Sequence, residues 1–142
     1  MVARRFPRSQ RLTRGADLQT VRREGKRIRT EHLEVRATAS LLRRRAAAGG
    51  GSDATADADA PRRGRIGIVV PKHKRSSVER NRLKRRLREL ARTLLLPELP
   101  PVDLVVRTFP ESYDAPFAAL EREVRRVRER LHRLYSTTGG AE

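Results

Sequence analysis

From Arg43 to Arg63 the chain carries three consecutive glycines and not one large apolar side chain. Such a stretch cannot bury enough surface to offset the entropy of ordering it. Whatever folds is therefore built from the flanks, which together suffice for one domain with one core and not for two. The expected organisation is a basic N-terminal arm over residues 1–12, a single domain over 13–135 interrupted by a flexible Arg/Ala/Gly/Asp insertion at 43–63, and a disordered tail over 136–142. Asp53, Asp57 and Asp59 in the insertion match no calcium-loop spacing, and no bidentate Glu follows them where one is required. A solvated linker is the expectation.

Aromatic residues are only 4% of the chain, so the core rests on Leu, Val and Ile, and their spacing assigns the elements. Thr13 is placed to cap a short helix through Glu24 that turns Leu18 and Val21 inward, with Gly25 as a left-handed stop. Lys26 to Leu42 alternates, with Leu33, Val35, Ala37 and Ala39 against Glu34, Arg36, Thr38 and Ser40, as a half-buried strand does. Arg65 to Val70 is apolar and β-branched, which predicts a strand in mid-sheet whose Gly67 permits close backbone approach. Ser76 or Ser77 caps a long helix to about Leu95, stopped by Pro97, and Val102 to Val106 forms the next strand. Asp114 and Pro116 open a last helix striped by Phe117, Leu120, Val124, Val127, Leu131 and Leu134. Its outer pairs, Glu121 with Arg125 and Glu129 with Arg133, mark it as scaffold. Segregated strands and helices of this kind give an α+β class.

Thirty-four Lys and Arg against seventeen Asp and Glu leave a net charge of +17, whose self-repulsion calls for an anionic partner. Nucleic acid and an anionic membrane both meet that need, but no apolar run approaches the roughly eighteen residues of a spanning helix. The first residues lead into no signal-peptide core, so a cytoplasmic setting is expected, and without cysteine there is no disulfide or thiolate site. The charge is concentrated: residues 72–92 hold ten Lys or Arg and two Glu. At 100° per residue, Leu83, Leu87, Leu90, Ala91 and Leu94 share one side of this helix. Asn81, Arg85, Arg88 and Arg92 line the other side, with Arg82 beside them, Lys84 and Arg86 flanking the apolar stripe, and Glu89 placed to hold Arg85 and Arg92. A merely solvated face mixes its signs to gain ion pairs, whereas this one accumulates repulsion that phosphates would relieve. Arginine also grips a phosphate bidentately, as lysine cannot. Lys72, His73, Lys74 and Arg75 add cations at the helix N-terminus, where free amides already favour an anion.

Chemistry carried by the protein itself finds little support. His32, His73 and His132 fall on three separate elements, and the acids are scattered without a metal-binding spacing, so neither a catalytic residue nor a metal site is expected.

Ile66-Gly67-Ile68-Val69-Val70, a basic loop, and then Val78-Glu79-Arg80-Asn81-Arg82-Leu83-Lys84-Arg85-Arg86-Leu87-Arg88-Glu89 together resemble the signature of the protein subunit of bacterial ribonuclease P. Arg11-Leu12, Asp17-Leu18, Asp103-Leu104-Val105-Val106 and the final helix extend the resemblance over most of the chain outside the arm and the insertion. It implies a mostly antiparallel sheet packed by three helices, with a left-handed βαβ crossover, as in the second domain of ribosomal protein S5. It implies that Arg80, Asn81, Arg82, Lys84, Arg85 and Arg88, with Arg92 continuing the row and Lys72 to Arg75 beside it, meet the catalytic RNA. It further implies that a cleft between the first helix and the sheet, at Arg11, Leu18, Arg22, Val35 and Ile68, receives the single-stranded 5′ leader of precursor tRNA. Leu18 and Arg22 stand where the family tends to have phenylalanines, and Lys74-Arg75 where it has an apolar residue and glycine, so contacts to the leader are expected to rely on charge more than on stacking. In the family, hydrolysis belongs to the RNA and its magnesium ions, so the chain is expected to bind no cofactor, membrane or DNA. Two other readings fit the charge: a non-catalytic ribosome-associated RNA binder or RNA chaperone, and a self-sufficient nuclease using His32 or His73.

Overall fold

The computed structural model describes residues 8–41, 64–97 and 99–140; the insertion expected at 43–63, the start of the arm and residues 141–142 lie outside them. The elements are α1 (Gly15–Glu24), β1 (Lys26–Arg29), β2 (Leu33–Ala39), β3 (Arg65–Val69), α2 (Ser77–Leu90), β4 (Val102–Thr108) and α3 (Phe117–Gly140). A wider π turn over Ala91–Leu95 continues α2, and short 3-10 turns lie at Arg8–Gln10 and Pro110–Asp114. The strands form one mixed sheet in the order β1-β2-β4-β3, antiparallel except for the β3–β4 pair that α2 connects.

The period-two rule divides each strand between two faces. Leu33, Val35 and Ala37 of β2 and Val102, Leu104 and Val106 of β4 join Leu83, Leu87, Leu90 and Ala91 of α2 and Leu120, Val124, Val127 and Leu131 of α3 in the main core. The opposite face carries a smaller cluster of Leu12, Val21, Leu41 and Val105, with Leu18 and Val69 packed on it under α1. Within that layer a buried charge network ties three elements together. Arg65 donates from Nε and Nη2 to Asp103 at 2.9 and 2.8 Å and reaches Asp17 at 3.4 Å, while the Leu41 amide donates to Asp103 at 3.0 Å.

Several expectations need correction. The single strand expected from Lys26 to Leu42 is instead a hairpin over residues 26–39: Ile28 pairs with Val35, and Thr30 N–H donates to the Leu33 carbonyl at 2.8 Å to close the turn. β3 lies at the sheet edge and β4 at the centre. β3 nonetheless needs an apolar sequence, because its outer side is covered by the end of the arm, where Leu12 N–H donates to the Ile66 carbonyl at 2.9 Å and Arg11 bridges to Ile66. The arm thus joins the sheet before residue 13. Gly67 accommodates that close approach, since a Cβ there would stand 2.6 Å from the Leu12 carbonyl and 2.7 Å from Leu18. Arg14 rather than Thr13 occupies the N-cap of α1, with no side-chain cap, and Gly25 is extended at φ −71°. That glycine serves packing and not handedness, as a Cβ would lie 2.9 Å from the Ala37 nitrogen. Phe117, expected to begin the apolar stripe of the last helix, is the first residue of α3 and is exposed.

Candidate nucleic-acid interface

Ser76 begins α2 with a capping box: its Oγ accepts from Glu79 N–H at 3.1 Å, and Glu79 accepts from Ser76 N–H at 3.1 Å. Asn81, Arg82, Arg85 and Arg88 then project into solvent, with Lys84 and Arg86 half-buried beside the leucine stripe. Among the described residues, Arg82, Arg85 and Arg88 make no ion pair. Glu89 pairs with Arg92 and not with Arg85, so the row's last arginine is partly neutralised and tucked against the helix. Arg80 is partly structural, donating from Nε to the Val70 carbonyl at 2.8 Å and tying the helix start to the end of β3.

The loop ahead of α2 divides into two roles. Arg75 is held by Asp114 at 2.9 Å and Glu79 at 3.2 Å, with its guanidinium over the Tyr113 ring at 5.0 Å. It anchors the loop to the turn before α3, so part of its charge is already met within the protein. Lys72, His73 and Lys74 are exposed on a tight turn closed by Arg75 N–H to the Lys72 carbonyl, with His73 and Lys74 at φ 48° and 64°. Side chains other than glycine hold that conformation at a cost, which Arg75 and its partners offset.

The residues expected in one cleft occupy two concavities. The first, about 240 Å³, opens at the β3 edge between Arg11, Leu12, Thr13, Leu18, Gly67 and Ile68 on one side and Lys84 and Arg88 of α2 on the other. The second, about 440 Å³, is lined by Gln19, Arg22 and Arg23 of α1 and by Glu34, Arg36 and Arg107 of the sheet. Val35 belongs to neither: it shares the phase of Leu33 and Ala37 and is buried in the main core. The cleft residue on β2 is its neighbour Arg36, a position already marked by the alternation, and Arg107 of β4 joins it at the cleft surface only through tertiary pairing. None of the described aromatic side chains lines either concavity, so the surface offers cations and hydrogen-bond donors and no stacking platform.

A group missed in the sequence lies at the other end of the molecule. The Glu123 carboxylate accepts from the Thr30 hydroxyl, from His32 N–H at 2.8 Å and from the His32 ring, which pins the β1–β2 turn to α3. Burial works to raise the Glu123 carboxyl, but hydrogen bonds from the His32 ring, Thr30 and the His32 amide outweigh it and hold the group below its usual range. Glu31 approaches as well, so that three possible metal-ligand atoms lie within 4.8 Å of one another. Two of the three groups are engaged with each other, and an imidazole ligand suits zinc rather than magnesium. His73 and His132 lie elsewhere, so the structure joins no two histidines into an acid–base pair among the described residues.

A model of the family described as Ribonuclease P matches residues 6–132. The chain belongs to the ribonuclease P protein family. The ribonuclease P protein component of Mycolicibacterium paratuberculosis is 34% identical over 127 residues, covering 89% of this chain and 94% of that protein. That of Thermus thermophilus is 48% identical over 63 residues, covering 44% of this chain and 37% of the relative. The Mycobacterium avium protein is 45% identical over 76 residues, covering 53% and 60%. These last two matches thus span under two thirds of the relatives' own length. Among solved structures, the ribonuclease P protein of Thermotoga maritima superposes with a TM-score of 0.62 at 20% identity, over 84% of this chain and 96% of that one. A mutant of the Staphylococcus aureus protein gives 0.66 at 17% identity, over 90% and 89%. At that identity the likeness establishes the fold, and the family rests on the sequence match.

Proposed function

We propose that the chain is the RNA-binding subunit of a cytoplasmic ribonucleoprotein that removes the 5′ leader from precursor tRNA, with hydrolysis left to the catalytic RNA and its magnesium ions. In this reading, Arg82, Lys84, Arg85 and Arg88 of α2 dock the catalytic RNA, with Arg80 and Asn81 at the helix start and Lys72 to Lys74 extending the surface. The leader runs through the two concavities, past Arg11 and Leu18 at the β3 edge and over Arg22, Arg36 and Arg107. The observation that carries the proposal is that Lys84 and Arg88 of α2 share one concavity with Arg11 and Leu18, which puts the docking helix and the leader path side by side. The likeness to ribonuclease P protein components supports the partner, and the cationic lining, which holds no aromatic side chain among the described residues, supports leader contacts that depend on charge more than on base identity.

Reconstitution tests this directly. Added to the cognate catalytic RNA at low magnesium, the protein is expected to accelerate cleavage of precursor tRNA; no acceleration refutes the reading. Arg85→Ala is expected to reduce the slope of log affinity against log salt by about 0.7–0.9, the share of one phosphate that is no longer neutralised, without altering sequence preference.

A further inference from the structure

The final helix, whose pattern reads as scaffold, carries a second cationic groove. Arg126, Arg130 and Arg133 follow Glu123 at steps of three, four and three, and so lie on one side of α3. With Glu129 they face Ile28 and Arg29 of β1 and Thr30 of the following turn across a concavity of about 350 Å³. β1 is the outer strand of the sheet, so one side of its backbone is left without a strand partner among the described residues, at the edge where the groove opens. The Arg29 guanidinium is drawn away over the Phe109 ring at 4.9 Å, which leaves α3 to supply the cations and Glu129 as the single opposing charge.

This groove is preformed. The buried Glu123 carboxylate, bonded to Thr30 and His32, fixes the β1–β2 turn against α3 immediately beside Arg126. The floor and the arginine wall are therefore held in register before any ligand arrives, and less ordering entropy is lost on binding. The position matters as well. The groove opens at the β1 edge, whereas Lys84, Arg88 and Arg11 open at the β3 edge, so three strand spacings of about 4.8 Å separate the two surfaces.

We propose that the β1–α3 groove is a second RNA-docking surface, binding phosphates of a segment of the RNA subunit other than the one that α2 engages. The proposal rests on the RNA-binding reading above. Clustered exposed guanidinium groups provide the donors that non-bridging phosphate oxygens accept, and one carboxylate does not reverse the sign.

The chain contains no cysteine, so a photocrosslinker can be attached at a single chosen position. Arg130→Cys and, separately, Arg85→Cys would carry it in the complex with the cognate catalytic RNA. In parallel, the double variant Arg126→Gln/Arg130→Gln, which keeps helix-forming side chains of similar reach, would be titrated against salt. The expected results are adducts from position 130 on an RNA segment distinct from that reached from position 85, and a salt slope reduced by about 1.4–1.8 in the double variant. If position 85 yields adducts while position 130 yields none and the slope of the double variant is unchanged, the second surface is refuted and the proposed function stands. If neither position yields adducts, both fall together.

Discussion

Asp103→Ala gives a demanding test of the interior. Asp103 is wholly buried, and its carboxylate accepts three hydrogen bonds, two from Arg65 at 2.9 and 2.8 Å and one from the Leu41 amide at 3.0 Å. Burial works to lower the Arg65 guanidinium, but the hydrogen bond and charge of Asp103, with Asp17 adding to them, keep it above its ordinary range; without Asp103 it still remains charged at neutral pH, as a guanidinium does not deprotonate there. It would then face only Asp17 at 3.4 Å, beside an amide that has no acceptor in the variant. Removing one partner of a buried pair costs about 3–5 kcal/mol. The orphaned amide, alone worth about 1–3 kcal/mol, is not added because it belongs to the same network. Against a total stability of about 5–15 kcal/mol, this is at least about a fifth of what holds the domain folded. Urea denaturation followed by circular dichroism should show the unfolding free energy falling by that amount, through a lower midpoint at unchanged slope. The loss should also be the same in about 0.1 M and 1 M salt, because a buried pair is little screened. A loss near 1 kcal/mol or below, the level of an exposed pair, or one that disappears in high salt, would refute the idea that this network is dry and tightly bonded.

Glu123→Gln should flatten the acid limb of the stability curve. A carboxyl held below its usual value of 4.5 in the folded state contributes stability above that value and loses it as pH falls through the lowered one, so the gap between parent and variant should close below about pH 4.5. Equal curves from pH 7 to 3 would show that the His32 and Thr30 contacts contribute nothing. Gly67→Ala should destabilise by about 1–3 kcal/mol by forcing Leu12 or Leu18 away; a stability equal to the parent's would mean that the arm's seal on β3 is loose. Ser76→Ala should cost about 1 kcal/mol through the capping box, with unfolding free energy as the readout.

The leucine wheel of α2 was legible because burial obeys one period over four turns, and Leu83, Leu87 and Leu90 are buried as the wheel requires. The alternation in Leu33-Glu34-Val35-Arg36 also divided the first half of β2 between its two faces correctly, whereas beyond Ala37 Thr38 and Ser40 are buried and Ala39 is exposed, the reverse of the pattern. Assigning Val35 to the cleft failed because the alternation alone does not say which face α1 covers. The edge position of β3 was illegible for a related reason: a strand covered by the arm reads as apolar as a central one. Charge counting likewise could not tell Arg75, spent on Asp114 and Glu79, from Arg85, which points into solvent, because Asp114 is thirty-nine positions away in sequence. The Glu123 anchor and the groove beside it needed the tertiary contact between the hairpin turn and α3, for which no local pattern exists.

The central place of β4 has a consequence for how the chain acquires its structure. β4 is the last strand in sequence, yet it joins the two halves of the sheet, pairing Leu33 with Thr108 on one side and Arg65 with Asp103 on the other. Until residues 102–108 are available, β1 and β2 are an isolated hairpin of a kind that is marginal in water, and β3 has only the Arg11–Leu12 segment to pair with. The contacts that β4 closes span long loops, whose entropy is spent before any pairing energy is returned, so folding is expected to be slow and late. α2 lies inside the loop that β4 closes, and its arginines repel one another until the leucines beneath them have a sheet to pack on. An anion near the nascent α2 would weaken that repulsion, so the RNA that this helix is proposed to bind should also hasten the closing step that completes the sheet.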